Sequence, residues 1–178
     1  MSGMKNAPAL ILAALAALVI TSASTPIYPT PTITVQDSGS FSEQVVILPT
    51  TQTVTAGSVV YTVFVGDVGP GDTFLVQSEF EVTNDLGYNI MIGSYIVLAD
   101  GPTATTGTDI TEPNAFNVTP DMHHGVPVKV GSLAVTESLS NQYVNVVAYS
   151  RASRATATSS IRVEPDYGRL IVTTIRNG

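Results

Sequence analysis

From about residue 44 to the end of the chain, polar and apolar residues alternate with a period of two. Between residues 74 and 83, one side of the pattern carries Phe74, Val76, Phe80 and Val82, and the other carries mainly Gln77, Glu79 and Glu81. This alternation is typical of antiparallel strands with one buried and one solvated face. No helical period follows residue 25, so the pattern predicts an all-β protein.

Glycine, proline and asparagine clusters divide the chain into nine or ten short strands. The segment 66–72 is a strong loop, 84–87 is typical of a hairpin turn, and 164–166 is expected to separate two strands. Strands are predicted at 44–48, 51–55, 58–65, 74–83, 88–98, 115–119, 126–135, 142–149, 159–163 and 168–175. Many short strands without a longer repeat predict an antiparallel β-sandwich spanning residues 44–178.

The N-terminus has a different character. A short basic start with Lys5 precedes an uncharged apolar run at 9–20, and small residues follow at 21–24. This is the layout of a secretory signal peptide, and the run is shorter than a membrane-spanning helix requires. Residues 1–24 are therefore predicted to be a signal peptide, with a membrane or assembly segment as the alternative.

Residues 25–43 are predicted to form a Pro-rich extended arm. Pro26, Pro29 and Pro31 exclude a helix, and residues 32–35 then alternate like a strand. The arm could pair with the sheet edge of a neighbouring subunit, giving a strand-exchanged polymer. The alternative is that it supplies the first strand of its own domain.

Composition and charge exclude several classes of function. The chain of 178 residues has a net charge of −7 and no cysteine, which argues against nucleic-acid binding and thiol or zinc-finger chemistry. Residues 37–137 contain 12 acidic side chains and one basic side chain, whereas the last 41 residues are basic overall. If these acidic and basic regions face opposite sides of the protein, their opposite charges could bring copies of the chain together. Within the basic region, the candidate interface residues are Arg151, Arg154 and Arg169.

Two regions are candidates for binding. A long loop is predicted at 100–113, and loops of this length are often functional. The candidate binding residues in or beside it are Asp100, Asp109, Glu112 and Asn114. The adjacent His123 and His124 lie in a turn-like segment and could contact a ligand or another subunit.

A hard-cation site is the second kind of candidate. Asp67 and Asp72 flank a glycine-rich loop, and Asp121 with His123 forms a same-side pair in an extended backbone. Calcium is the cofactor that such oxygen-rich loops could hold, although the spacing matches no known calcium motif. No nucleophile elbow or metalloprotease motif is present, so the chain is not predicted to be an enzyme.

Three segments carry a resemblance to a known architecture: 71–76, 142–149 and 167–172. They resemble strands of jelly rolls found in trimeric TNF/C1q-like heads and in phage appendage or cement proteins. The resemblance implies a jelly-roll sandwich and assembly into homo-oligomers, including trimers.

Two functions follow as hypotheses. The first is a non-catalytic structural protein that self-assembles into an oligomer, a filament or a surface or virion layer. The second is a secreted module that binds a carbohydrate or a cell-surface receptor. Both place the protein outside the cell, at a cell surface or in a virion.

Overall fold

A computed structural model of the protein describes residues 30–38, 45–47, 57–85, 87–120, 123–125, 128–151 and 161–177. In these ranges the chain forms ten strands and no helix. The strands are β1 Thr32–Asp37, β2 Val45–Ile47, β3 Ser58–Val68, β4 Thr73–Asn84, β5 Ile90–Ala99, β6 Thr108–Val118, β7 His123–Gly125, β8 Lys129–Ala134, β9 Leu139–Arg151 and β10 Ile161–Arg176.

The strands form two antiparallel sheets. In the first sheet β1 and β2 pair with one side of β10, β10 pairs with β4, and β7 and β8 pair with the far side of β4. The second sheet has the order β3-β9-β5-β6. β1 and β2 can be counted as one interrupted strand, and so can β7 and β8, which leaves eight strands. The first of these pairs with the eighth, the second with the seventh, the third with the sixth and the fourth with the fifth. This is jelly-roll topology, which the resemblance of segments 71–76, 142–149 and 167–172 to jelly-roll strands implied.

The core lies between the inner faces of the two sheets. Phe74, Val76, Phe80 and Val82 are buried, so the alternation in β4 assigned the inner side correctly. Ile90, Ile92, Ile96 and Leu98 of β5 are buried as well. Pro31 to Gly178 form one compact unit, and β1 pairs with β10 of its own chain from Thr32↔Arg176 to Asp37↔Ile171. The strand-like part of the arm therefore joins its own domain, which was the second alternative.

The predicted hairpin at 84–87 is wrong. β4 belongs to the first sheet and β5 to the second, so this connection crosses between the sheets. The buried Asn84 amide stabilises the crossing by donating to the carbonyl oxygens of Tyr88 and Val118, each at 3.0 Å. Local turn residues indicate where a strand ends, but they do not determine which strand it pairs with.

Two predicted breaks also lie within strands. β6 begins at Thr108, so the loop after β5 covers only residues 100–107. Pro113 is compatible with β6 because this strand lies at a sheet edge. The segment 164–166 lies inside β10, where the pairing with β4 shifts register between Val163 and Gly168. The predicted strand at 51–55 lies outside the described residues.

The loop 100–107 folds back over the outer face of the second sheet. The Asn145 amide nitrogen donates to the carbonyl oxygens of Gly101 at 2.8 Å and Ala104 at 2.9 Å. The Tyr95 hydroxyl donates to the carbonyl oxygen of Thr105 at 2.7 Å. A second apolar cluster forms on this face, with Tyr95, Val97, Ala99, Val147 and Tyr149 buried and Ala104 packed against them.

Candidate functional site

The residues predicted to form a binding loop do not lie in one loop. Asp100 begins the short loop that covers the second sheet, whereas Asp109, Glu112 and Asn114 are exposed on strand β6. The prediction of a loop site at 100–113 is therefore wrong in its geometry. The alternating segment around Ile110 forms a strand because its apolar side is buried.

The histidines also lie on a strand and not in a turn. The backbone of His123 and His124 forms β7, which pairs with β4 at Thr83 and Val82. Their side chains, and the whole of Asp121, lie outside what the structure describes. A role for these residues in ligand or metal binding stays a prediction.

The two aspartates of the predicted cation site accept hydrogen bonds within the fold. Asp67 accepts from the backbone N–H of Asn141 at 3.0 Å, and buried Asp72 accepts from the backbone N–H of Gly69 at 3.0 Å. Among the described residues, no three His, Asp or Glu side chains are grouped closely enough to hold a metal ion. Calcium binding stays a prediction.

Lys129 is a buried cation that the sequence analysis assigned no role. Its ammonium group donates to the carbonyl oxygen of Glu112 at 2.6 Å, linking β8 of one sheet to β6 of the other. Burial lowers the pKa of Lys129 to about 8, against the opposing effect of the Glu112 carboxylate. The lysine therefore joins the two sheets at a cost in desolvation.

This lysine makes stability depend on pH. The unfolded chain holds the proton up to the ordinary pKa of 10.5, whereas the folded protein releases it near pH 8. Stability should therefore decrease as pH falls from 10.5 to 8 and stay level below 8. We expect Lys129→Met to be more stable by about 1–2 kcal/mol at pH 7, because a buried cation is replaced by an apolar side chain of similar length.

Urea unfolding at pH 7, 9 and 10.5 measures this effect. The advantage of Lys129→Met should shrink as pH rises, because the wild-type lysine becomes neutral in both states. Val130→Met changes the exposed neighbour of Lys129 and should show no such trend. A pH-independent difference between Lys129→Met and wild type would contradict the assignment.

The outer face of the first sheet carries an apolar surface assembled from four strands. Paired residues of β1, β10, β4 and β8 point to the same side and form three parallel rows. We call this surface the apolar outer face. Its rows are Ile33, Ile175, Thr73 and Ala134; Val35, Thr173, Leu75 and Ser132; and Asp37, Ile171, Gln77 and Val130.

Large apolar side chains on this face are exposed to solvent. The exposed fraction is 62% for Ile33, 65% for Val35, 46% for Leu75 and 73% for Val130. The first two rows contain no charged side chain. Strand and residue spacings give the face an area of about 400 Å². Apolar patches of this size are often functional in proteins that are otherwise soluble.

An ion pair borders the apolar outer face. Arg169 of β10 lies beside Glu79 of β4, one row beyond Ile171, with 4.0 Å between the guanidinium Nε and a carboxylate oxygen. Both side chains are about half exposed. The predicted interface residue Arg169 thus adjoins the exposed apolar surface. The side chain of Arg151, at the end of β9, and the whole of Arg154 lie outside the described residues.

Strand β1 lies at one end of this face and pairs with β10 alone among the described strands. On its inner side, an open groove of about 270 Å³ separates Thr34 and Gln36 from β3 and from Arg176. Gln36 crosses this groove by donating to the carbonyl oxygen of Phe64 at 2.9 Å. Arg176 also joins the sheets by donating to the carbonyl oxygens of Asp67 at 2.6 Å and Val65 at 2.7 Å.

The sequence analysis did not identify the apolar outer face, because each of the four strands contributes only one or two apolar residues to it. The alternation in residues 32–35 was the one local signal. Within the described ranges, we find no helix long and apolar enough to cross a membrane.

Comparison with known proteins identifies no family. No protein-family model matches the chain, and no curated protein matches it. Solved structures with a similar fold include infectious bursal disease virus, Gx strain, at 11% identity and a TM-score of 0.46, covering 85% of this chain and 33% of that chain. The VP2 subviral particle of the same virus has 9% identity and a TM-score of 0.43, covering 85% of this chain and 34% of that chain.

A third similar structure is the EclA C-terminal domain, described as a sugar-binding protein. It has 12% identity and a TM-score of 0.38, covering 84% of this chain and 86% of that chain. The present chain spans about a third of the length of the viral chains. At these identities the likeness concerns the β-sandwich architecture alone.

Proposed function

We propose that this protein is a non-catalytic structural protein that self-assembles through its β-sandwich, with a second copy of the chain covering the apolar outer face. The observation that carries the proposal is the uncharged pair of rows with exposed Ile33, Val35 and Leu75. Burying such a surface against an identical one removes apolar area from water on both copies.

The charged border makes this face complementary to itself. A two-fold axis parallel to the strands, between β10 and β4, would place β10 of each copy over β4 of the other. Rows would then meet like rows, and Arg169 of one copy would lie opposite Glu79 of the second copy. A contact of this kind is isologous, so each residue contributes twice.

The proposal predicts that the full chain forms oligomers whose mass depends on concentration. Leu75→Glu places a charge in the middle row of each copy and should weaken association by at least about tenfold, since two buried charges enter one contact. Light scattering across a concentration series measures the mass, and circular dichroism verifies the fold.

Met91→Glu is the matched control. Met91 is another exposed apolar side chain on a strand, but it lies on β5 of the second sheet. It should leave the mass unchanged. A chain that is monomeric at every concentration, or equal effects of the two substitutions, would refute assembly through this face.

A charge exchange tests the two-fold arrangement. Arg169→Glu should weaken association because it places Glu opposite Glu79 of the other copy. Glu79→Arg in the same chain should restore association, because the exchanged pair is again complementary across the axis.

The sugar-binding alternative also has an observation in its favour. Phe64 is half exposed on β3 and its ring centroid lies 5.0 Å from that of Tyr143. Aromatic surfaces of this kind can support a sugar ring. A chain that is monomeric in solution would favour sugar binding over self-assembly. The predicted signal peptide supports an extracellular, cell-surface or virion location for either function.

A further inference from the structure

In the described part of the chain, no strand pairs with the outward edge of β1, where the side chains of Ile33 and Val35 are exposed. The backbone N–H of Ser38 donates to the carbonyl oxygen of Leu170 at 2.9 Å, which marks this pair as hydrogen-bonded. Bonded and non-bonded pairs alternate along an antiparallel ladder. Continuing the register of β1 and β10, the N–H and C=O groups of Ile33 and Val35 point away from β10.

The outer edges of β3, β6 and β8 are less suited to strand pairing. β3 has three register shifts against β9. β6 contains Pro113 and carries Asp109 and Glu112, and β8 begins with Lys129 and contains Gly131. Bulges, prolines and charges are the usual features that discourage edge pairing. β1 pairs with β10 over six consecutive residues without a shift.

We propose that two copies of this protein pair through β1, antiparallel, around a two-fold axis at Thr34. Ile33 of each copy then lies opposite Val35 of the other, and these bonded pairs use the outward backbone groups of both residues. Their side chains extend the apolar rows across the two copies. A register centred on Val35 would instead place Asp37 against Ile33, which is less favourable.

This edge contact specifies the proposed function further. It rests on that function for the step from pairs to an extended assembly, because the pairs formed through β1 are joined to one another by the apolar outer face. Two faces of about 400 Å² bury about 800 Å² in total, whereas stable interfaces bury about 1,200–2,000 Å². A second contact would add the area that the face lacks. Since each contact is two-fold and uses a different surface, the combination links copies into a chain or a layer.

Cysteine cross-linking of the full chain tests the register, because the protein has no cysteine of its own. In the proposed pair, the two Thr34 residues face each other as a non-bonded pair with Cα atoms about 4.5 Å apart, within disulfide range. Thr34→Cys should give mostly disulfide-linked dimer under mild oxidation. Thr136→Cys, on an exposed loop, and Val35→Cys should give little.

A proline substitution tests the backbone contact. Val35→Pro removes an N–H that points away from β10, so the domain should keep its fold while the edge pairing is lost. We expect the extended assembly to be reduced to pairs joined by the apolar outer face. Leu75→Glu should leave pairs joined by β1, and the double variant should be monomeric.

The outcomes separate the two proposals. In one outcome, Leu75→Glu disrupts the oligomers, Val35→Pro leaves them unchanged and Thr34→Cys gives no cross-linked dimer. This result would overturn the β1 contact and leave the proposed function standing. Strong cross-linking of Val35→Cys would overturn the register at Thr34. A monomer that no cysteine cross-links would overturn both proposals.

Discussion

Gly168→Ala is expected to destabilise the domain by about 3–5 kcal/mol, a large part of the stability of a typical domain. Gly168 has φ of +146°, a conformation that side chains rarely adopt. A Cβ atom there would lie 2.6 Å from the Cα of Phe80 and closer still to the carbonyl oxygen of Glu79. Both neighbours are backbone atoms of β4, so the clash cannot be relieved by a side-chain rotation.

Position 168 is where β10 resumes pairing with β4 after its register shift. A displaced backbone there would disturb the ladder between the two central strands of the first sheet. Gly69→Ala is the matched control, since no atom lies within 4 Å of a Cβ added at that glycine. Thermal and urea unfolding should show a change below about 0.5 kcal/mol for the control. Similar losses for the two variants would contradict the argument.

Asn145→Ala is expected to cost about 2–4 kcal/mol, because one buried side chain connects three segments. The Asn145 amide nitrogen donates to two carbonyl oxygens of the loop 100–107, and its amide oxygen accepts from the Thr62 hydroxyl at 2.7 Å. Alanine removes all three hydrogen bonds and leaves a cavity in the second sheet.

Hydrogen exchange adds a local readout for this variant. The loop 100–107 should exchange faster in Asn145→Ala, while the strands of the first sheet keep their relative protection. Asn117→Ala, an exposed asparagine on β6, should change neither stability nor exchange in this loop. Thr62→Val should cost about 1 kcal/mol because it removes one of the three bonds. Unchanged exchange in the loop would show that Asn145 does not anchor it.

The alternating pattern was sufficient to predict the fold class and the buried side of β4. Phe74 and Val76 are buried because strand geometry sends every second side chain to the same face. The break predicted at 66–72 is confirmed only in part, since β3 continues to Val68 and the turn, in which Gly71 adopts a positive φ, covers 69–72. These features depend on residues that are neighbours along the chain.

Strand pairing and the apolar outer face were decided only by the tertiary structure. Ile33, Leu75, Val130 and Ile171 come from four strands far apart in sequence, and none of them is unusual in its own segment. Their proximity depends on which strands pair and in which register, and the crossing after Asn84 shows that local turn residues do not specify this. The sequence by itself determined that Phe74, Val76, Phe80 and Val82 share the buried side of β4, because that depends on local periodicity, whereas only the tertiary structure buries the outer side of β5 and β9 as well. Long-range pairing determined which exposed residues meet, because it brings together segments whose local patterns contain no information about one another.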